Sequence, residues 1–134
     1  MSSDQEPRAA AIKAAIDAAL PSEVSVFDLD DVPGTNGNPG TTPQKYVVVE
    51  VSRRWVAARR FGGDVMVPGG AVATHYRADT ITNARELRRR TAAGIENVPL
   101  ATAGGDPFTC SFSQDAGIEY IKGVGYAGFD LWNF

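Results

Sequence analysis

A chain of 134 residues with 13 basic and 16 acidic side chains, a net charge of -3, one cysteine and one histidine has room for one core and little more, so residues 1–134 read as one domain. At 43% hydrophobic and 22% charged residues it has an ordinary globular composition, neither disordered nor fibrous. The lone Cys110 excludes an intrachain disulfide and an all-cysteine metal site, and apolar runs such as Tyr46 to Val49 fall far short of the ~18 residues of a membrane span.

The polar, acidic start, Met1 to Pro7, predicts a soluble chain without a signal peptide and with no membrane partner. His75 is the only imidazole and stands outside any metal-ligand spacing, which argues against a zinc hydrolase. No metal, no cofactor and no catalytic residue is predicted. Charge is unevenly spread: residues 1–31 carry seven acids against two bases, residues 32–90 ten bases against four acids, and residues 91–134 five acids against Lys122 alone. The basic middle suits phosphates or the acidic surface of another copy of the chain, while the acidic total argues against dedicated nucleic-acid binding.

The first predicted element is a helix from Arg8 to Leu20, with Pro7 in its first turn, Ile12, Ile16 and Leu20 on one stripe, and Pro21 as its stop. Val24 to Leu29 alternates as a strand, one side of it on the core. Residues 33–43 are all Pro, Gly, Thr or Asn and predict a mobile loop. Tyr46 to Val51 is a β-branched run expected at the centre of the sheet.

Residues 53–67 predict a projecting hairpin: Trp55 to Phe61 and Asp64 to Val67 flank a Gly62-Gly63 turn. Arg53, Arg54, Arg59 and Arg60 surround Trp55 and Phe61, and these side-chain types are enriched where proteins meet. The same pattern also describes a solvated arginine face over a buried Trp; the contact surface is the preferred alternative.

Pro68-Gly69-Gly70 then breaks the chain before the strand Ala71 to Ala78, in which Val72, Thr74 and Tyr76 share one face and His75 and Arg77 the other, leaving His75 exposed. A second helix starts at Thr80 or Thr82 and runs to about Asn97, burying Ala84, Leu87, Thr91, Ile95 and Val98, with Arg85, Arg88, Arg89 and Arg90 on its surface. Val98-Pro99 stops it. Strands follow at Phe108 to Ser113, with Cys110 as a small core residue, at Ile118 to Lys122, and at Tyr126 to Trp132, where Ala127, Phe129 and Leu131 alternate against Tyr126, Gly128, Asp130 and Trp132. Gly123-Val124-Gly125 lacks the lysine and helix of a phosphate loop, and Asp28, Asp30 and Asp31 lack the spacing of a calcium loop, so these acids read as solvated or as partners for arginines.

In this order of elements, and above all in the strand-to-helix passage Tyr76 to Arg88 and the ending Tyr126 to Trp132, the chain resembles the tail terminator proteins of long-tailed (siphovirus-type) bacteriophages. The resemblance implies an α+β subunit with a mixed or mainly antiparallel sheet flanked by two helices. It also implies a hexameric ring that caps the tail tube, stops its growth and meets the head-side connector, or stopper. Such a protein is no enzyme; it assembles in the host cytoplasm and ends in the virion, with DNA passing through its lumen without sequence-specific binding. Arg53, Arg54, Trp55, Arg59, Arg60 and Phe61 are then the expected subunit or tube contacts. Alternatives are a head–tail adaptor or stopper ring, a small nucleic-acid binder using the middle arginines, and an enzyme using His75 and Cys110.

Overall fold

The computed structural model describes residues 5–35, 37–60, 63–102 and 107–134, with residues 5, 6, 53–60 and 63–69 described in their backbone. The elements in chain order are α1 (Gln5–Ala19), β1 (Ser25–Asp28), β2 (Tyr46–Arg60), β3 (Gly63–Ala78), α2 (Ile81–Ile95), β4 (Ser111–Asp115), β5 (Glu119–Ile121) and β6 (Gly125–Asn133). The strands form one open six-stranded sheet in the order β1-β2-β3-β6-β4, with β5 beside the other end of β6. β1 runs parallel to β2 and every other pairing is antiparallel, so the fold is α+β with a mixed sheet.

Side-chain alternation decides which face is covered. Val47, Val49, Val72, Thr74, Tyr76, Asp130 and Trp132 stand in register across β2, β3 and β6 and are all buried. Their apolar members share one cluster with Ile12, Ile16 and Leu20 of α1 and its exit and with Ala84, Leu87 and Ile95 of α2, so both helices lie on this face. The helices meet at Gly94, where a Cβ would sit 2.8 Å from the Ala19 Cβ and 3.1 Å from the Ala15 carbonyl oxygen. On the opposite face Val32, Tyr46 and Val48 form a second, smaller cluster with Phe27 against them.

Several boundaries depart from the sequence expectation. α1 starts at Gln5 rather than Arg8, and α2 ends at Ile95, where Glu96 caps it and Asn97 takes a left-handed φ of 55°. Thr80, not Thr82, is the N-cap: its hydroxyl accepts from the Asn83 amide at 3.1 Å. The strand expected over Phe108 to Ser113 lies at Ser111–Asp115, with Phe108 and Cys110 making isolated bridges to Leu100 and Glu96. Cys110 is fully buried, and desolvation pushes its thiol up to about 11.

The largest correction concerns the middle of the chain. The runs expected as separate strands, 46–51 with 55–61 and 64–67 with 71–78, are two continuous strands of 15 and 16 residues. β3, rather than β2, takes the middle of the sheet. Pro68-Gly69-Gly70 does not interrupt β3, and the ladder explains why. Gly70 exchanges both backbone hydrogen bonds with Phe134 at 3.0 and 3.1 Å, so its polar groups face the β6 side; two residues on, the Pro68 nitrogen faces that same side, where no described strand follows. Gly70 is needed for a different reason: the Phe134 ring occupies the space of a Cβ.

Residues 32–43 carry internal bonds. The Gly34 amide donates to the Asn38 carbonyl at 3.2 Å, the Asn38 side-chain amide donates to the carbonyls of Asp30 (2.6 Å) and Val32 (3.1 Å), and the Thr42 hydroxyl donates to the Pro33 carbonyl (2.7 Å).

Candidate assembly interface

The pairing limits of the neighbouring strands define an arm. β1 accompanies β2 only from Tyr46 to Val49, and β6 accompanies β3 only from Ala78 to Ala71, with Phe134 adding one last pair of hydrogen bonds at Gly70. From the Arg53–Gly70 pair to the Arg60–Gly63 pair, β2 and β3 continue as a two-stranded ribbon with no third strand among the described residues. Eight residues per strand carry this ribbon about 25 Å beyond the body.

Arg53, Arg54, Trp55, Arg59 and Arg60 lie on the arm, opposite Gly70, Gly69, Pro68, Asp64 and Gly63 respectively. Phe61 lies outside the described residues, as does Gly62 of the expected Gly62-Gly63 turn, while Gly63 belongs to β3.

At the base of the arm, a groove of about 570 Å³ opens between α1 and the outer side of the sheet, lined by Ala9, Ala10, Lys13, Leu29, Val49 and Val51, with Asp28 and Glu50 at its rim. An adjoining depression of about 370 Å³ shares Ala10 and Lys13 and adds Asp17. Lys13 reaches Asp28 at 3.3 Å, so this acid, expected to be solvated or partnered by an arginine, has a lysine partner instead. Leu29 is 47% exposed here.

Away from the arm, the described arginines of α2 are mostly spoken for. Glu86 accepts from Arg89 at 2.5 and 3.1 Å and from Arg90 at 2.6 Å, and these bonds hold its carboxyl below the ordinary range. Arg88, expected on the surface, turns inward. Its Nε lies 3.3 Å from Asp130, a carboxylate only 3% exposed, and its guanidinium lies over the Tyr76 ring at 5.7 Å. Tyr76 donates to Asp130 at 2.6 Å, and Trp132 donates to Thr74 Oγ1 at 3.0 Å, which lies 2.8 Å from the Tyr76 hydroxyl. Burial, and then the bond to Asp130, hold the Tyr76 phenol far above its ordinary value. Composition hid this network, because a run of charge on a helix reads as surface. The available signal was position: Arg88 lies four residues after Ala84 and three before Thr91, beside the buried stripe.

His75 is half-buried rather than exposed, 3.4 Å from Glu50 and with its ring 5.5 Å from that of Phe129 at a tilt of 42°, on the face away from the helices. Cys110 is sealed in the core on the helix side, so the two residues of the enzyme alternative are on opposite faces of the sheet. Two shallow clefts of about 200 and 170 Å³ flank His75 and Arg77. Among the described residues no helix is long and apolar enough to cross a membrane.

No family model and no curated protein matches the chain significantly. Among solved structures, the chain is similar to one from the virion of a native gene transfer agent particle, at 15% identity and a TM-score of 0.64, over 99% of this chain and 96% of that one. At that identity the likeness establishes a shared fold, carried from end to end by both chains.

Proposed function

We propose that this chain is a structural subunit of a phage-like virion, a tail terminator that forms a hexameric ring on the tail tube, ends its polymerisation and offers the surface for the head-side connector. The arm carries the reading: a ribbon of about 25 Å leaves the sheet, and four of its residues 53–60 are arginine. A two-stranded ribbon gains little from folding alone, so the length and composition of this one suit contacts with other chains. The fold shared end to end with a chain of a gene transfer agent virion supports the virion setting. The activity is assembly, without catalysis, metal or cofactor, and DNA crosses the lumen without being read. The ring assembles in the host cytoplasm and remains in the virion.

Arg53, Arg54, Trp55, Arg59, Arg60 and Phe61 are proposed as the subunit or tube contacts. The same virion likeness also suits an adaptor or stopper ring, and one experiment separates the two. Light scattering of the pure protein, alone and with tail-tube protein, followed by electron microscopy, is expected to give six-subunit rings and tubes capped at fixed length. A ring that leaves tubes growing transfers the reading to the connector, and a monomer that leaves them growing overturns it.

A further inference from the structure

We infer that the groove between α1 and the outer edge of β1 and β2 is the socket for the arm of a second copy of this chain. This rests on the ring reading above and adds the surface that each arm meets.

Three observations converge on the groove. First, its walls are small and apolar, Ala9 and Ala10 on the helix against Leu29, Val49 and Val51 on the strands, and Leu29 leaves about half of its surface in water. Such a floor suits the apolar run Trp55-Val56-Ala57-Ala58 of the arm. Second, β1 stops at Asp28, opposite Val49, while β2 runs on, so the backbone of Glu50 and Val51 borders the groove with no described strand on that side. Third, the charges are complementary. Asp17, Asp28 and Glu50 line the two connected depressions against Lys13 alone, and exposed Asp30 and Asp31 follow Leu29. Residues 53–67 hold four arginines against Asp64.

The occupant is another copy because the chain's own arm cannot reach. Its ladder is continuous from Tyr46–Arg77 to Arg60–Gly63 and leads away from the groove at its base; folding back would break those pairs. A basic arm on one subunit entering an acidic socket on the next is a heterologous contact, the kind that repeats head to tail and closes into a ring.

Two variants of the full chain that each add one cysteine, Ala10→Cys in the groove and Arg59→Cys on the arm, test this when mixed and oxidised. Native Cys110 is buried with its thiol pushed up to about 11, which leaves the added thiols as the reactive ones. The expected result is a crosslinked dimer containing one of each variant, at several times the yield obtained when Arg85→Cys on α2 replaces the groove variant, since a disulfide requires Cα atoms within about 7 Å. In parallel, Asp17→Arg with Glu50→Arg is expected to weaken self-association at least tenfold, and adding Arg59→Glu with Arg60→Glu to restore it. A ring that forms with neither the selective crosslink nor the restoration overturns the socket and leaves the ring reading standing. A selective crosslink and restoration in open chains or dimers keeps the socket and overturns the ring. Neither association nor crosslink overturns both.

Discussion

The body and the arm of this molecule are built from the same two strands, yet on different principles. Between Tyr46 and Val51, β2 has a strand on each side over most of its length and helices over one face; Val47, Val48 and Val49 are buried by the chain itself. From Arg53 to Arg60 the same strand has a single partner among the described residues, and its own residues are arginine, alanine, valine and tryptophan. Stability is therefore concentrated where Trp132, Tyr76, Thr74, Asp130 and Arg88 meet, while the capacity to join other chains is proposed to lie in the ribbon, which has no third strand among the described residues. Mutations should separate the two cleanly.

The largest effect is expected in the body. Asp130→Ala removes the acceptor of the Tyr76 hydroxyl and the counter-charge of Arg88, and should cost about 3–5 kcal/mol, toward the lower end because Arg88 keeps 26% exposure. Urea denaturation measures it, and a loss below 1 kcal/mol would remove the network from the account of stability. Next is Gly94→Val, which forces α1 and α2 apart at Ala15 and Ala19 and should cost about 1–3 kcal/mol by the same measurement.

Alkaline pH gives a graded test. Cys110 in the folded chain titrates near 11 against an ordinary 9.0, so the stability linked to its neutral form is complete below about pH 9 and is lost as pH rises toward 11. Tyr76 is raised further and extends the loss above its ordinary 10.0. Stability should therefore fall steeply above pH 9, and Cys110→Ala should flatten the first part of that fall; an unchanged slope would contradict the burial of the thiol. The smallest effect on stability belongs to the arm: Arg59→Glu with Arg60→Glu should change it by no more than about 0.5 kcal/mol while abolishing self-association. A large loss of stability would mean that these arginines serve the fold.

Sequence patterning anticipated the body well and its polar centre badly. Ala84, Leu87, Thr91 and Ile95 follow helical spacing and are all buried, and the alternation of Val72, Thr74 and Tyr76 against His75 and Arg77 holds along β3. Both are local periodicities, which a chain must satisfy to cover a core. Arg88 escaped because its neighbours Arg89 and Arg90 disguise one inward cation as part of a solvated run, and its partner Asp130 lies 42 positions away on another strand. Only tertiary pairing joins them. The unbroken β2 and β3 were likewise hidden behind Pro68-Gly69-Gly70, because the direction in which the Pro68 nitrogen faces depends on ladder phase. The six residues proposed as contacts stand out by composition, whereas the groove proposed to receive them does not, since α1, β1 and β2 supply it jointly.

The most direct test of the division between body and arm is the solution mass of the chain with residues 54–67 replaced by a two-residue turn, measured beside the intact protein by light scattering, with thermal unfolding of both. The shortened chain is expected to unfold cooperatively at nearly the temperature of the intact one, to stay monomeric and to leave tail tubes uncapped, while the intact chain forms rings. A shortened chain that still forms rings of the same subunit number would contradict that division.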